Sequence, residues 1–279
     1  MLTVLEVIQK TESFFLRKGI ETPRLDAELL LAHHLNCRRL ELYLQFERPL
    51  GDEILASLRP AVLRRGHREP LQRILGEVPF HEVILKASPQ VLIPRPETEE
   101  LVEWILLSSP SPPASLLDLG CGSGAIGIAL LKAWPACRVV FRDLSAASIA
   151  ATRQNLALNK LEAEVSQGHW FDGLQGHFDV IVSNPPYLTD QEWEDASPEV
   201  KDFEPRESLV GGGPNGTAAL EEIIEKAHTC LAPRGSLFLE TGVDQHPYLC
   251  EVAKKRGFSS ARSRLDLSRR PRFLHLQTP

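Results

Sequence analysis

Strand-like and helix-like segments alternate along the C-terminal two thirds of this 279-residue chain, and this pattern restricts the fold more than any other. LLDL (116–119) precedes a helical run at 125–134, and RVVFRDL (138–144) precedes another at 146–159. Further strand-like runs are AEVSQ, FDVIVSN, GSLFLE, SARSRLDL and RFLHLQ. Such alternation predicts a mostly parallel sheet with helices on both faces. We count about seven strands, the last two forming a hairpin, and predict a Rossmann-like α/β fold.

The first 76 residues have a different pattern, with apolar residues three and four positions apart. This spacing predicts a small bundle of helices, the first capped by Thr3. Pro60 lies inside one helical run and is expected to bend or split it. VPFHEVILKASPQVLIP (78–94) then predicts a β-hairpin. We therefore expect a helical domain at 1–76 and an α/β domain at 77–279 that includes the connecting hairpin.

Composition excludes several classes of protein. The net charge of −6 gives no electrostatic sign of nucleic-acid binding, so no direct nucleic-acid partner is expected. The five cysteines are scattered and form no C-x-x-C pair, which argues against a disulfide framework or a metal site. The first twenty residues form an amphipathic helix rather than a signal peptide, and no apolar run matches a membrane span. We expect a cytoplasmic, monomeric enzyme without bound metal.

The segment DLGCGSGAIG (118–127) places glycines between a strand and a helix. Glycines permit a tight turn and let a ligand approach the backbone closely, and ligands of α/β sheets bind at this edge. Asp143 ends the next strand, where it can accept hydrogen bonds from a ribose diol. From Gly122 the chain also satisfies the dinucleotide pattern G-x-G-x-x-G. The carboxylate of Asp118 disfavours a pyrophosphate but suits the ammonium and sulfonium of S-adenosylmethionine (SAM), so we predict SAM rather than NAD. The cofactor-binding residues predicted in the loop are Gly120, Cys121, Gly122, Ser123 and Gly124.

The stretch SNPPYL (183–188) ends the strand FDVIVS with two prolines. Proline fixes its own φ and makes the preceding residue extended, so Asn184 to Tyr187 should form a stiff lip at the strand end. The Asn184 Oδ1 atom and the Pro185 carbonyl are two acceptors that can hold the N–H groups of a planar amide or aromatic amine. Tyr187 can stack on such a group or wall it. The lip therefore predicts methyl transfer to a planar nitrogen, with Asn184, Pro185 and Tyr187 as catalytic residues.

The glycine loop followed by NPPY resembles the class I SAM-dependent methyltransferases that act on planar nitrogen, among them adenine-N6 and glutamine-N5 enzymes. PLQRILGEVPF (70–80), VLIPRPETEELVEW (91–104), DFEPRESLVGG (202–212) and the helical N-terminal domain are similar to one group of these, the HemK/PrmC glutamine methyltransferases of peptide-chain release factors. NPPY alone is shared with DNA and RNA enzymes, whereas IPRPETE, NPPY and FEPR together are much more specific. The resemblance extends over nearly the whole chain.

The resemblance implies the substrate, the product and a set of site residues. The substrate would be the glutamine of the Gly-Gly-Gln loop in class 1 release factors, docked by the N-terminal domain, with S-adenosyl-L-homocysteine as the product of the cofactor. The glycine loop and Asp143 would hold SAM, with Trp170 at the adenine and the Asn184 side chain beside the cofactor. The lip would bind the glutamine amide through Asn184, Pro185, Pro186 and Tyr187. The methionine end of the site would be closed by Pro94, Arg95, Pro96 and Thr98.

Two positions depart from the family pattern, and other functions stay open. His169 replaces a common Asp before Trp170, and Arg269 replaces a Gly in the C-terminal segment DLSRRPR. The arginines around 262–272 are expected to form a solvated basic face, and GGGPNG (211–216) a flexible turn. The alternatives are an adenine-N6 methyltransferase on DNA or RNA, a non-catalytic SAM-binding protein and, last, a nicotinamide oxidoreductase. The acidic net charge and the lack of a base-reading segment argue against the first of these.

Overall fold

The apolar spacing of the N-terminal residues produces helices in the computed structural model, which describes residues 1–279. The first helix starts after Thr3, whose hydroxyl accepts a hydrogen bond from the Glu6 N–H while the Glu6 carboxylate accepts one from the Thr3 N–H. This reciprocal cap satisfies two backbone donors that the helix itself cannot pair. The helices of this region are α1 (Val4–Arg17), α2 (Pro23–His34), α3 (Asp52–Gly66) and α4 (Leu71–Leu75), with a 3-10 helix at Arg39–Leu44.

Helix α3 continues through Pro60, so the predicted split of this helix does not occur. A proline cannot bond to the carbonyl one turn earlier, and its ring crowds that turn. The Ser57 carbonyl in that turn has a partner outside the helix, because it lies 3.1 Å from His34 Nε2. The carbonyl that loses its helical donor is that of Ala56, four residues before Pro60. The His34 contact therefore adds a tie between α2 and the same turn of α3 without replacing the lost bond.

The remainder of the chain alternates as predicted. The hairpin is shorter than expected and ends at Lys86. The elements are β1 (Glu77–Phe80), β2 (Val83–Lys86), α5 (Pro96–Ser108), β3 (Ser115–Leu119), α6 (Ala125–Ala133), β4 (Arg138–Asp143), α7 (Ala146–Leu158), β5 (Glu164–Gln167), β6 (Phe178–Ser183), α8 (Asp190–Glu194), α9 (Pro198–Lys201), a 3-10 helix at Arg206–Ser208, α10 (Ala218–Ala227), β7 (Leu231–Glu240), α11 (His246–Lys255), β8 (Ser260–Leu265) and β9 (Pro271–Gln277).

Seven strands form one sheet in the order β5-β4-β3-β6-β7-β9-β8, which confirms the predicted fold class. The pairs from β5 to β7 are parallel, whereas β9 is antiparallel to both β7 and β8. The chain leaves β3 towards β4 and β5 and then returns to β6 on the other side of β3. This reversal opens a crevice beyond the C-terminal ends of β3 and β6, where ligands of such sheets bind.

Alternate residues of each central strand pack on opposite faces of the sheet. In β3, Leu116 joins the core formed with α5 and α6, while Leu117 joins the core formed with α10 and α11. The β1–β2 hairpin packs on the first of these faces through Val78 and Leu85. Both faces are thus covered by helices, as a parallel sheet requires.

Contacts within the chain divide it into two units. The helical unit contains Met1–Glu77 and also the six residues Pro198–Phe203, and the sheet unit contains Val78–Ser197 and Glu204–Pro279. In the helical unit, Arg65 is 6% exposed and donates to Asp26 (2.6 Å) and to Glu199 of α9 (3.0 Å). Breaking a buried ion pair leaves an unpaired charge and lowers the stability of the fold. The bond from Arg65 to Glu199 therefore holds α9 within this unit.

The connection after β6 is also more ordered than a long loop. Helix α8 begins with a second reciprocal cap, in which Thr189 and Glu192 bond to each other's backbone N–H groups.

No helix of the structure combines the length and the apolar composition needed to span a bilayer.

Candidate active site

A cavity of about 340 Å³ lies beyond the C-terminal ends of β3, β4 and β6, within the size range of small-molecule sites. Most of the predicted site residues line it. From the predicted sets, the lining residues are Pro94, Arg95, Thr98, Gly120, Cys121, Gly122, Ser123, Asp143, Trp170, Asn184, Pro185 and Pro186. Gly124, Pro96 and Tyr187 are not in the cavity wall. Gly124 caps α6, and the side chain of Tyr187, the last residue of the lip, packs against the core on the α10–α11 face of the sheet instead of walling the cavity.

The glycine loop turns back under the cavity in a conformation that favours glycine. Gly120, Gly122 and Gly124 have φ angles of 68°, 55° and 79°, a region that costs other residues roughly 1–2 kcal/mol. Two buried side chains of α7 hold the loop carbonyls: Thr152 donates to Gly122 (3.0 Å) and Asn155 to Ser123 (2.8 Å). The loop is therefore a rigid wall rather than a mobile flap.

Cys121 lies within this loop but has no nucleophilic character. Its side chain is 7% exposed, and burial keeps the pKa of the thiol well above its ordinary value. The Sγ atom lies 3.4 Å from Thr152 Oγ1. The residue contributes a small apolar surface to the cavity.

Asp118, at the end of β3, carries a buried carboxyl group that lines the cavity. Its Oδ2 atom accepts a hydrogen bond from the Gly127 N–H (2.8 Å). Burial, together with the nearby charge of Asp143, raises the pKa of Asp118 to about 7. A cationic ligand placed here would favour the ionised form of Asp118, and the attraction between the two charges would strengthen binding.

Asp143, at the end of β4, lines the cavity and also organises its walls. Its Oδ2 atom accepts from the Gly122 N–H (2.9 Å) and its Oδ1 atom from the Ser145 N–H (2.8 Å). Burial raises the pKa of Asp143, and these two backbone donors oppose that effect. Each oxygen keeps further lone-pair capacity, so the residue can still accept from a diol.

Trp170 reaches the cavity from the loop after β5, with a φ of 32° that is uncommon for a residue other than glycine. Arg142 of β4 holds this loop, because its guanidinium donates to the carbonyls of Trp170 (2.6 Å) and Asp172. The Trp170 ring lies against Gly120, where an added Cβ would come within 3.2 Å of it. His169, the departure from the family pattern, also lines the cavity.

The lip is held by a buried polar network. Asn184 Nδ2 donates to Thr98 Oγ1 (3.2 Å), which in turn donates to Glu240 Oε2 (2.8 Å). Tyr187 OH donates to the other oxygen, Glu240 Oε1 (3.1 Å). The guanidinium of Arg272 lies over the Tyr187 ring, 5.7 Å from its centroid. The amide oxygen of Asn184 is turned away from Thr98 and is the atom left for a ligand.

The segment 209–216 packs directly against the lip backbone, so the GGGPNG turn is more constrained than the flexible turn expected. The Tyr187 N–H donates to Leu209 (3.0 Å), and Gln245 Nε2 donates to the Tyr187 carbonyl (2.8 Å). A Cβ on Gly211 would lie 2.6 Å from the Pro186 carbonyl, and one on Gly216 would lie 2.4 Å from the Tyr187 carbonyl. Glycines at these two positions allow the close approach that stiffens the lip.

Arg269, at the position of the usual family glycine, has a φ of 61°, in the left-handed region that favours glycine. The turn is closed by hydrogen bonds from the Asp266 N–H to the Arg270 carbonyl (2.9 Å) and from the Arg269 N–H to the Asp266 carbonyl (2.8 Å). The arginine therefore adopts a left-handed conformation here, at the usual cost for a residue other than glycine.

Sequence reasoning missed Arg142, Thr152, Asn155 and Glu240. Arg142 follows the apolar run VVF of β4 and stands next to Asp143, and Glu240 ends the apolar run GSLFLE. A charged residue at a buried strand end is a signal of a partner at the ligand-binding edge of the sheet. Thr152 and Asn155 have no such signal, because polar residues are ordinary on a helix.

Comparisons with known proteins agree with this architecture. Residues 6–76 match the family described as PrmC N-terminal domain, and residues 101–199 match the family described as Methyltransferase small domain. A Release factor glutamine methyltransferase of Rhodopirellula baltica is 35% identical, with 99% of this chain and 96% of that protein covered. The MTRF1L release factor glutamine methyltransferase of Homo sapiens is 34% identical, covering 99% and 87%.

A solved structure is also similar: the 16S rRNA N2 G1207 methyltransferase (RsmC) of T. Thermophilus in complex with AdoMet and guanosine. It has a TM-score of 0.55 and 18% identity, covering 73% of this chain and 50% of that one, which supports the fold alone. Fold, glycine loop and strand-end acid together define a class I SAM-dependent methyltransferase. Within that class, the chain belongs to the release factor glutamine methyltransferase family.

Proposed function

We propose that this enzyme methylates the side-chain amide nitrogen (N5) of the glutamine in the Gly-Gly-Gln motif of class 1 release factors. The observation that carries the proposal is the fixed amide of Asn184 at the cavity wall, beside the carbonyl-bearing Pro185. Two oxygen acceptors on one rigid lip match the two N–H groups of a primary amide. The names of the relatives support release factors as the substrate.

The cavity residues fit SAM. Trp170, Leu144 and Ile126 provide apolar surface for an adenine, and Asp143 provides acceptors for a ribose diol. Asp118 provides negative charge for the ammonium and sulfonium end. The glycine loop lets the ligand lie against the backbone.

The residues of the lip help the amide nitrogen of the substrate, which is a poor nucleophile, to accept a methyl group. The lone pair of an amide nitrogen is conjugated with its carbonyl, and acceptors on both N–H groups hold the nitrogen in line while favouring its tetrahedral geometry. When bound, SAM supplies a methyl group, which forms a bond to this nitrogen as the carbon–sulfur bond breaks and a proton leaves the nitrogen for solvent. No general base is required, because the methylated nitrogen loses its proton readily. Tyr187 holds the C-terminal end of the lip in place through its hydrogen bond to Glu240.

The two parts of the chain divide the work. Residues 1–76 dock the body of the release factor, and residues 77–279 bind SAM and carry out the transfer. The enzyme works as a monomer in the cytoplasm, on a protein rather than a nucleic acid. The net charge of −6 supports this choice, since a nucleic-acid enzyme gains affinity from basic surface.

The test is methyl transfer from labelled SAM to three acceptors: a purified class 1 release factor, the same factor with Gln→Ala in its Gly-Gly-Gln motif, and double-stranded DNA. We expect label on the intact factor only. Label on DNA would show that the lip holds adenine. Absence of label on every acceptor, with SAM bound, would favour a non-catalytic SAM-binding protein.

Asn184→Ala tests the role of the lip in the same assay. Loss of one preorganised polar contact in a transition state costs about 100-fold or more in kcat. We expect a loss of this size with the Kd for SAM nearly unchanged, measured by calorimetry. Methyl transfer close to the wild-type rate would contradict the proposed mechanism, even if the release factor is confirmed as the substrate.

A further inference from the structure

We infer that Glu240 is a positioning residue that fixes which way the Asn184 amide faces, acting through the hydroxyl of Thr98. The inference rests on the proposed function, because the amide of Asn184 is taken as the acceptor for the substrate. Glu240 ends β7, the strand paired with β6, and is 1% exposed. Nothing in the motif that identifies the lip includes this residue.

The direction of the hydrogen bonds follows from the chemistry of the three groups. A hydroxyl has a single hydrogen, and a carboxylate can only accept. The Thr98 hydrogen is used by Glu240 Oε2 at 2.8 Å, so the Thr98 oxygen must accept from Asn184 at 3.2 Å. The NH₂ group of Asn184 therefore faces Thr98, and its oxygen faces the opposite way.

The second oxygen of Glu240 serves the other side chain of the lip. Tyr187 OH donates to Glu240 Oε1 at 3.1 Å, and Arg272 Nη1 donates to the same hydroxyl oxygen at 3.5 Å and to the Thr241 carbonyl at 3.0 Å. One buried carboxylate thus positions both polar side chains of the lip. Burial raises the pKa of Glu240, whereas the bonds from Thr98 and Tyr187 and the charge of Arg272 oppose that shift.

The orientation matters because an Asn side chain has an acceptor oxygen on one side and a donor NH₂ group on the other. With its oxygen towards the cavity, Asn184 accepts from a substrate N–H. With the amide reversed, an NH₂ group would meet that N–H, and two donors leave each other unpaired. Glu240 prevents this reversal without touching the substrate.

The experiment compares Glu240→Gln, Thr98→Val and Thr98→Ser on an intact class 1 release factor, with kcat and the Kd for SAM measured separately. Glutamine has one acceptor oxygen for two hydroxyl donors, so its NH₂ group can turn to Thr98 and let that hydroxyl donate to Asn184 instead. We expect kcat to fall about tenfold or more in Glu240→Gln and in Thr98→Val, which is the scale of one lost hydrogen bond. Thr98→Ser keeps the hydroxyl and should recover most of the activity that Thr98→Val loses.

Ser236→Ala is the matched control, because Ser236 also lies on β7, four residues before Glu240, and its hydroxyl is 2.9 Å from the Nε2 atom of His275. It removes a polar contact of the same strand away from the cavity, and we expect kcat to stay within about twofold of wild type. Wild-type kcat in Glu240→Gln would overturn the inference, and so would equal losses in Thr98→Ser and Thr98→Val. A wild-type enzyme that labels DNA instead of the factor would overturn the proposed function, which is a separate result.

Discussion

At the scale of single residues, two buried carboxyl groups, of Asp118 and Glu240, and the partly buried carboxyl group of Asp143 surround the cavity and its lip. Asp118 and Asp143 line the cavity wall, and Glu240 lies behind the lip. Burial raises the pKa of each of them above its ordinary value. Burial removes the water that stabilises the ionised form of a carboxylate. A cationic ligand supplies a positive charge that stabilises this form again, so such acids favour cationic ligands. The same placement makes ligand binding depend on pH.

Asp118 gives the sharpest form of this dependence. Its pKa of about 7 in the ligand-free cavity means that a large fraction of the enzyme carries a proton there at neutral pH. SAM, with its positive charges, favours the ionised carboxylate, so binding should release about half a proton per molecule near pH 7 and close to one near pH 6. The affinity for SAM is therefore expected to rise as the pH rises from about 6 towards about 7.5, and to level off above the pKa of Asp118.

Calorimetry measures this effect directly, because the heat of binding in two buffers with different ionisation heats gives the number of protons released. Asp118→Asn is the matched variant, since its side-chain oxygen can still accept from the Gly127 N–H. In that variant SAM should bind more weakly and without proton release in this range. Equal proton release by the variant and the wild type would assign the titration to another group, with Asp143 the nearest alternative.

The residues of the site were predictable where the motif is local in the chain. The glycine loop, Asp143 and the lip each occupy a few consecutive residues, and the structure brings them to one cavity. Glu240 and Thr98 were harder to predict as a pair, because they are separated by 142 positions and meet where α5 packs against the end of β7. The pairing of β7 with β6 then places Asn184 beside them. A hydrogen-bond network of this kind depends on strand order, which local sequence patterns do not contain.

At the scale of elements, the loop from β5 to β6 shows how a strand residue can shape a binding site. Gly168 allows Arg142 of β4 to reach the loop carbonyls, since a Cβ at this position would lie 2.1 Å from the Arg142 Nη2 atom. Gly168→Ala should displace that guanidinium and release the carbonyl of Trp170. We expect the affinity for SAM to fall about tenfold, as for one or two lost hydrogen bonds to a charged group, measured by calorimetry.

Gly173→Ala is the control for this prediction. Gly173 lies in the same loop with a φ of 75°, and nothing lies within 4 Å of an added Cβ. It therefore tests backbone strain without steric displacement, and its expected cost is about 1–2 kcal/mol of stability, with little change in the affinity for SAM. Similar losses of affinity in both variants would mean that loop strain, rather than the position of Arg142, controls the adenine end of the cavity.

Periodicity was sufficient to predict most elements, because both faces of the sheet are covered and the central strands β3, β4, β6 and β7 carry apolar runs. It was insufficient at Pro60, where a contact from another helix supports the turn that the proline disrupts. It also missed α8, which depends on a cap between Thr189 and Glu192 rather than on apolar spacing. Local capping and tertiary contacts can both override the pattern from which an element is predicted.

At the scale of the whole molecule, the two units are not separated by a single boundary in the sequence. Pro198–Phe203, which follows the lip in sequence, belongs to the helical unit, where Glu199 pairs with Arg65 and Arg68. The composition change near residue 77 predicts one boundary, but the return of these six residues depends on buried ion pairs. Such pairs involve positions more than a hundred residues apart, which no local composition reveals.

The proposed division of work predicts a difference between an intact release factor and a short peptide that contains only its Gly-Gly-Gln loop. If residues 1–76 bind the body of the factor, this contact is remote from the reacting nitrogen and is made equally in the ground state and the transition state. Binding of that kind lowers KM and leaves kcat unchanged. The peptide should therefore show a KM at least about tenfold higher than the intact factor, with a similar kcat.

Steady-state methyl transfer to the two substrates, at saturating SAM, measures this difference. The factor with Gln→Ala in its motif supplies the control, because it keeps the body and lacks the reacting amide. It should inhibit methylation of the intact factor with an inhibition constant close to that factor's KM, and should inhibit peptide methylation as well. A peptide as efficient as the intact factor would remove the docking role from the helical domain while leaving the lip and its chemistry in place, since the lip recognises the amide alone.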